Sequence, residues 1–127
     1  MAKATIVIVE DDAIVGADIQ NTLERLGYDA PAIAVSAEEA LKRIEEIQPD
    51  LVVMDIILQG EMDGIDAAAE IHTRSNIRVV YLTAYMDEER LRRAKAAGPF
   101  AYIPKPFEEK ELASTIEKAL SKTQRES

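Results

Sequence analysis

Thr5-Ile-Val-Ile-Val9-Glu10-Asp11-Asp12 runs five β-branched residues straight into three acids. An unbroken apolar run of this length, with no polar alternation, is the pattern of a strand buried on both faces. Leu51-Val-Val-Met54 repeats it and ends at Asp55; Arg78-Val-Val-Tyr-Leu82 repeats it again and ends at Thr83. Strands covered on both faces need helices between them, and the intervening sequence supplies those helices.

After the first strand, Val15, Ile19, Leu23 and Leu26 share one helical face, and Gly27 suits the C-terminal cap. Pro31–Val35 reads as a weak edge strand, where proline is tolerated. Ser36-Ala-Glu-Glu39 opens a second helix as a capping box, with Leu41, Ile44 and Ile47 continuing it until Pro49-Asp50. A loop holding Gly60 and Gly64 leads to a third helix with Ile65, Ala68 and Ala69 on one face. Asp87–Ala97 predicts a short charged helix ending at Gly98, and Phe100–Ile103 a fifth strand. Glu108–Leu120 predicts a last helix built on Leu112, Ile116 and Leu120, and the polar stretch Ser121–Ser127 is expected to fray. Five strands alternating with five helices predict an α/β fold: one doubly wound domain over residues 1–127, core about 4–121, with right-handed crossovers and a five-stranded parallel sheet.

Composition narrows the chemistry. The 127 residues are 47% hydrophobic and 31% charged, an ordinary globular balance, and suffice to bury roughly two-thirds of the unfolded surface. Without cysteine there are no disulfides, thiolate metal sites or cysteine nucleophiles. A net charge of −9 opposes direct nucleic-acid binding. The apolar runs are too short to cross a membrane and the first residues do not read as a signal peptide, so a soluble, cytoplasmic protein is expected.

In doubly wound folds ligands bind beyond the carboxyl ends of the strands. There this sequence places Glu10, Asp11 and Asp12, then Asp55, then Thr83, then Lys105-Pro106. Two unit charges about 5 Å apart repel by roughly 3 kcal/mol at an effective dielectric near 20, so clustered acids call for cations. Lys105 supplies one, and oxygen-only ligands favour a hard divalent ion such as Mg²⁺. A carboxylate beside a divalent ion, an ammonium and a hydroxyl is a ready phosphoryl acceptor, and Asp55 is the natural nucleophile.

In order and interval, Ile-Val-Glu10-Asp11-Asp12, Asp50-Leu-Val-Val-Met-Asp55, Met62-Asp-Gly64, Tyr81-Leu-Thr83-Ala84 and Tyr102-Ile-Pro-Lys105-Pro106 resemble the receiver domain of two-component response regulators, of the chemotaxis-type single-domain kind, across residues 4–121. The resemblance implies a flavodoxin-like strand order 2-1-3-4-5 and phosphorelay signalling, with a sensor histidine kinase or phosphotransfer protein upstream and an unidentified protein downstream. It implies Asp55 as phosphoacceptor and metal ligand, Asp11 binding Mg²⁺ directly, Glu10 through water, and the Ile57 backbone carbonyl as a further ligand. Thr83 and Tyr102 would be the switch pair, Lys105 the phosphate-pairing ammonium, and Lys105-Pro106 a cis peptide. It further implies self-catalysed phosphorylation with slow autodephosphorylation, and a monomer or weak phosphorylation-dependent dimer. One departure stands out: the family often has a proline four residues after the acceptor, and here that position is Gln59. Ile57 and Tyr85 are bulky and are expected to slow hydrolysis of the acyl phosphate.

Plainer readings stand beside these. Asp12 equally suits the N-cap of the first helix. His72, on a helix away from the strand ends, is expected to be exposed and without a chemical role. Arg90, Arg92, Arg93 and Lys95 read as a solvated helix face or a partner contact. A phospho-aspartate phosphatase would carry a second acid two residues after the nucleophile, where this chain has Ile57, and a pseudo-receiver docking module would not need the full set of site residues.

Overall fold

The computed structural model describes residues 3–56, 58, 62–84 and 88–126, the side chains of 83 and 122–126 excepted. Five strands and five helices alternate: β1 Thr5–Val9, α1 Ala13–Arg25, β2 Asp29–Ala34, α2 Ala37–Ile47, β3 Leu51–Met54, α3 Gly64–Arg74, β4 Arg78–Thr83, α4 Glu88–Ala96, β5 Ala101–Pro104 and α5 Glu109–Glu126. All strand pairs are parallel, in the order β2-β1-β3-β4-β5. This is the flavodoxin-like arrangement.

Because side chains alternate across a strand, each central strand feeds two cores. Val7, Val9, Val52, Met54, Val79 and Tyr81 pack against α2, α3 and α4. Ile6, Ile8, Leu51, Val53, Val80 and Leu82 point the other way, toward Ile19 and Leu23 of α1 and Leu112 and Ile116 of α5. Double burial is the physical reason the strands read as unbroken apolar runs.

Several boundaries differ from the sequence reading. β2 starts at Asp29, whose N–H donates to the Ala4 carbonyl at 2.9 Å, and the β1–β2 register shifts between Thr5 and Val7, opposite Pro31. Proline lacks the N–H a regular ladder needs, so the irregularity falls where it does least harm, on the edge. Val35 lies past the strand and is exposed. In α3 the buried residues are Gly64, Ile65, Ala67, Ala68 and Ile71, while Ala69 faces outward. Three consecutive alanines carry no contrast from which to read the helix phase. α5 continues to Glu126, past Leu120, where the sequence reading ends the last helix. Lys, Gln, Arg and Glu are good helix formers, and no Gly or Pro interrupts them.

The caps explain why the helices begin where they do. Ser36 Oγ accepts from Glu39 N–H at 3.1 Å at the start of α2, and Gln48 (φ 54°) closes that helix in the left-handed conformation ahead of Pro49. Both halves of a capping box occur at α3: Asp63 Oδ1 accepts from Asp66 N–H at 2.9 Å, and Asp66 Oδ2 from Asp63 N–H at 3.4 Å. Among the described residues no helix is long and apolar enough to cross a membrane.

Candidate functional site

The carboxyl ends of β1, β3 and β5 carry the site. Ladder bonds fix its base: Glu10 N–H donates to Ala34 O and Asp55 N–H to Val9 O, both at 2.9 Å. Glu10, Asp11 and Asp55 each present a carboxylate oxygen, and the three lie within 4.8 Å of one another. Lys105, brought in at the end of β5, donates from Nζ to Glu10 Oε1 at 2.7 Å and to Asp55 Oδ2 at 3.3 Å. Residues far apart in sequence thus meet in one cluster of three acids and an ammonium. The Lys105–Pro106 peptide is cis.

Burial raises the Glu10 carboxyl above its ordinary range, more than the Lys105 hydrogen bond and the Asp12 amide lower it, and the Asp55 charge pushes the same way. For Lys105 burial pulls downward, but the Glu10 hydrogen bond and the Asp55 charge more than offset it, so the ammonium is held above its usual value. An oxygen-only donor set with one protein cation among three acids fits a hard divalent ion better than a soft one.

Asp12 turns away from the cluster to cap α1. Its Oδ1 accepts from Ile14 N–H at 2.9 Å and Val15 N–H at 3.1 Å, while its own N–H donates to Glu10 Oε2 at 3.2 Å. Thr83 is the last residue of β4, paired with Pro104, and its side chain is outside the described set. Tyr102 pairs with Tyr81 across the β4–β5 ladder and is 36% exposed. Ile57 and Tyr85 lie outside the described residues. His72 is exposed, and its ring lies 3.4 Å from where a Cβ on Gly98 would stand, away from the acids.

Two features escaped the sequence reading. Gly64, the first residue of α3, passes so near β3 that a Cβ there would stand 2.2 Å from the Asp55 carbonyl oxygen and 2.7 Å from Ile56 Cα. The Gly64 N–H donates to Ile56 O at 2.8 Å, so the backbones of β3 and α3 are locked directly behind Asp55. The second is Arg93, which reaches from α4 to Asp63 and Asp66 at the start of α3. No local pattern marks either contact; each depends on how distant elements pack. An open cleft beside the site, between α1 and the start of α5, is lined by Asp18, Thr22, Arg25, Lys105 and Phe107.

The response regulator receiver domain profile matches residues 6–117, and the chain belongs to that family. Its place is therefore in two-component phosphorelay signalling, in general terms. Among curated proteins, the chain is 38% identical over 117 residues to the transcriptional regulatory protein PdtaR of Mycobacterium tuberculosis, covering 92% of this chain and 57% of that protein. It is 35% identical over 123 residues to the transcriptional regulatory protein YvrH of Bacillus subtilis, covering 97% and 52%. The chain thus spans about half the length of these relatives. Among solved structures, the signal receiver domain of a modulated diguanylate cyclase from Desulfovibrio desulfuricans G20 superposes with a TM-score of 0.93 at 33% identity, covering 99% of this chain and 100% of that one.

Proposed function

We propose that this chain takes a phosphoryl group from the phosphohistidine of a sensor histidine kinase or phosphotransfer protein onto Asp55, and alters a partner-binding surface in response. One observation carries the reading: Lys105 bonds both Glu10 and Asp55 inside a group of three acids whose oxygens lie within 4.8 Å. Glu10, Asp11 and Asp55 would hold Mg²⁺, with the Ile57 carbonyl, outside the described residues, completing the set. When bound, the ion neutralises charge on the transferring oxygens.

In the transfer, an Asp55 carboxylate oxygen forms the new bond to phosphorus as the P–N bond to the donor imidazole breaks. That electron pair stays on the imidazole nitrogen. Lys105 pairs with the phosphoryl oxygens, and the Thr83 hydroxyl donates to one of them. The added charge of about −1.5 to −2 then biases a two-state equilibrium, with Thr83 drawn inward and Tyr102 following. A cytoplasmic location and a protein partner downstream accompany this reading. The test is intact-mass analysis after incubation with acetyl phosphate, with and without Mg²⁺. The wild type is expected to gain one phosphoryl group only with Mg²⁺, and Asp11→Asn to label at least about tenfold more slowly. Equal labelling in EDTA would refute the metal-dependent mechanism.

A further inference from the structure

Both oxygens of the buried Glu10 carboxylate are held. Oε1 accepts from Lys105 Nζ at 2.7 Å, and Oε2 accepts from the Asp12 N–H at 3.2 Å. The first donor comes from the end of β5 and belongs to the site already described. The second comes from an exposed residue whose side chain is engaged elsewhere. Asp12 Oδ1 accepts from Ile14 N–H at 2.9 Å and Val15 N–H at 3.1 Å, and the Asp12 carbonyl accepts from Gly16 N–H at 2.9 Å.

The side-chain bonds satisfy two donors that a helix start leaves without partners, and the third bond is the first rung of the α1 ladder. Together they hold the Asp12 backbone extended (φ −91°, ψ 113°), with its N–H aimed back at Glu10. The same turn is pressed onto the site. A Cβ on Gly16 would stand 3.1 Å from Ile33 Cγ2 and 3.8 Å from Glu10 Cβ, so α1 lies close against the Glu10 stem. A carboxylate this deeply buried depends on donors that the protein itself supplies. Without the Asp12 N–H, Oε2 loses its donor and the group can turn about its side-chain bonds.

We propose that Asp12 is a positioning residue for the acidic cluster. Its carboxylate fixes the first turn of α1, its N–H and Lys105 then clamp Glu10 from two sides, and the clamp presets the cluster for a divalent ion. Asp12 is not a ligand in this arrangement. The link to the ion rests on the proposed Mg²⁺ site; the clamp itself does not. Groups that orient a ligand typically matter about ten- to a hundredfold in metal affinity.

Asparagine, serine and alanine at position 12 separate this role from charge, since all three are neutral and only the first two cap. Titration of the full chain with MgCl₂, followed by NMR amide shifts, is expected to give Asp12→Asn and Asp12→Ser similar affinities, with Asp12→Ala about tenfold weaker than either. Amide hydrogen exchange in EDTA reads the clamp without the ion. Relative to its intrinsic rate, the N–H of residue 12 should exchange about tenfold faster in Asp12→Ala than in Asp12→Asn. The Asp55 N–H, bonded to Val9 O, should keep its wild-type rate and so report an intact sheet. Equal Mg²⁺ affinity in Asp12→Ala and Asp12→Asn, whether both strong or both weak, would overturn the positioning role. Faster exchange confined to Ile14 and Val15 in Asp12→Ala, with residue 12 unchanged, would overturn the clamp and leave an ordinary helix cap. No Mg²⁺-dependent shift at any wild-type amide refutes the metal site instead, and the exchange arm then decides the clamp alone.

Discussion

Glu10 is almost fully buried, and burial holds its carboxyl above the ordinary range despite the Lys105 bond. A raised carboxyl favours folding while it is protonated; that contribution is complete below the unfolded value of 4.5 and is lost as pH rises through the higher folded value. Glu10→Gln keeps an acceptor for Lys105 and stays neutral. In EDTA it is therefore expected to exceed the wild type in stability at pH 7, by on the order of 1 kcal/mol, with the gap closing toward pH 4. Urea unfolding of both proteins at the two pH values checks this. On the proposed Mg²⁺ site the same variant should bind the ion more weakly, stability and ion binding then opposing each other at this residue. Asp12 shows what a residue's position can and cannot reveal. From sequence it suited both metal binding and capping, and only the bonds to Ile14 and Val15 show that its carboxylate caps α1.

At the scale of elements, the α3 start is the tightest junction near the site. Gly64→Ala would drive a Cβ into backbone atoms of Asp55 and Ile56 just after β3, which cannot rotate away as a side chain could. It is expected to cost about 1–3 kcal/mol, read as a lower urea midpoint, and to slow labelling of Asp55 because the strand end must shift. The central strands β1, β3 and β4 were legible because double burial leaves an unmistakable apolar run, followed by the polar residue that each strand end presents. Helix phases were legible where bulky residues recur, as in Ile19 and Leu23, and not in the Ala67–Ala69 triplet. The Arg93 contact of α4 was not legible at all, since it reaches acids some 30 residues earlier in the chain.

For the whole molecule, the proposed Mg²⁺ site would link metal binding to folding. The unfolded chain has no preformed group of Glu10, Asp11 and Asp55, so Mg²⁺ at about 100 times its dissociation constant should add about 2.7 kcal/mol of stability. Asp11→Asn should abolish most of that increment, as seen in thermal unfolding with and without EDTA; an increment of wild-type size in this variant would place the ion elsewhere. That Glu10, Asp11, Asp55 and Lys105 would meet was legible because the fold brings strand ends together in a fixed order, so intervals along the chain stand in for distances. The pairing of Lys105 with Glu10 as well as Asp55 was not, since it depends on where β5 ends relative to β1. The most direct measurement of the central claim is the position of the label. Protein treated with acetyl phosphate and Mg²⁺ is reduced with borohydride, which converts an aspartyl phosphate to homoserine, and its peptides are sequenced by mass spectrometry. The expected result is homoserine at position 55 and unmodified residues at Glu10, Asp11 and Asp12, with no conversion in Asp55→Asn. Homoserine at another aspartate, or undiminished conversion in Asp55→Asn, would contradict it.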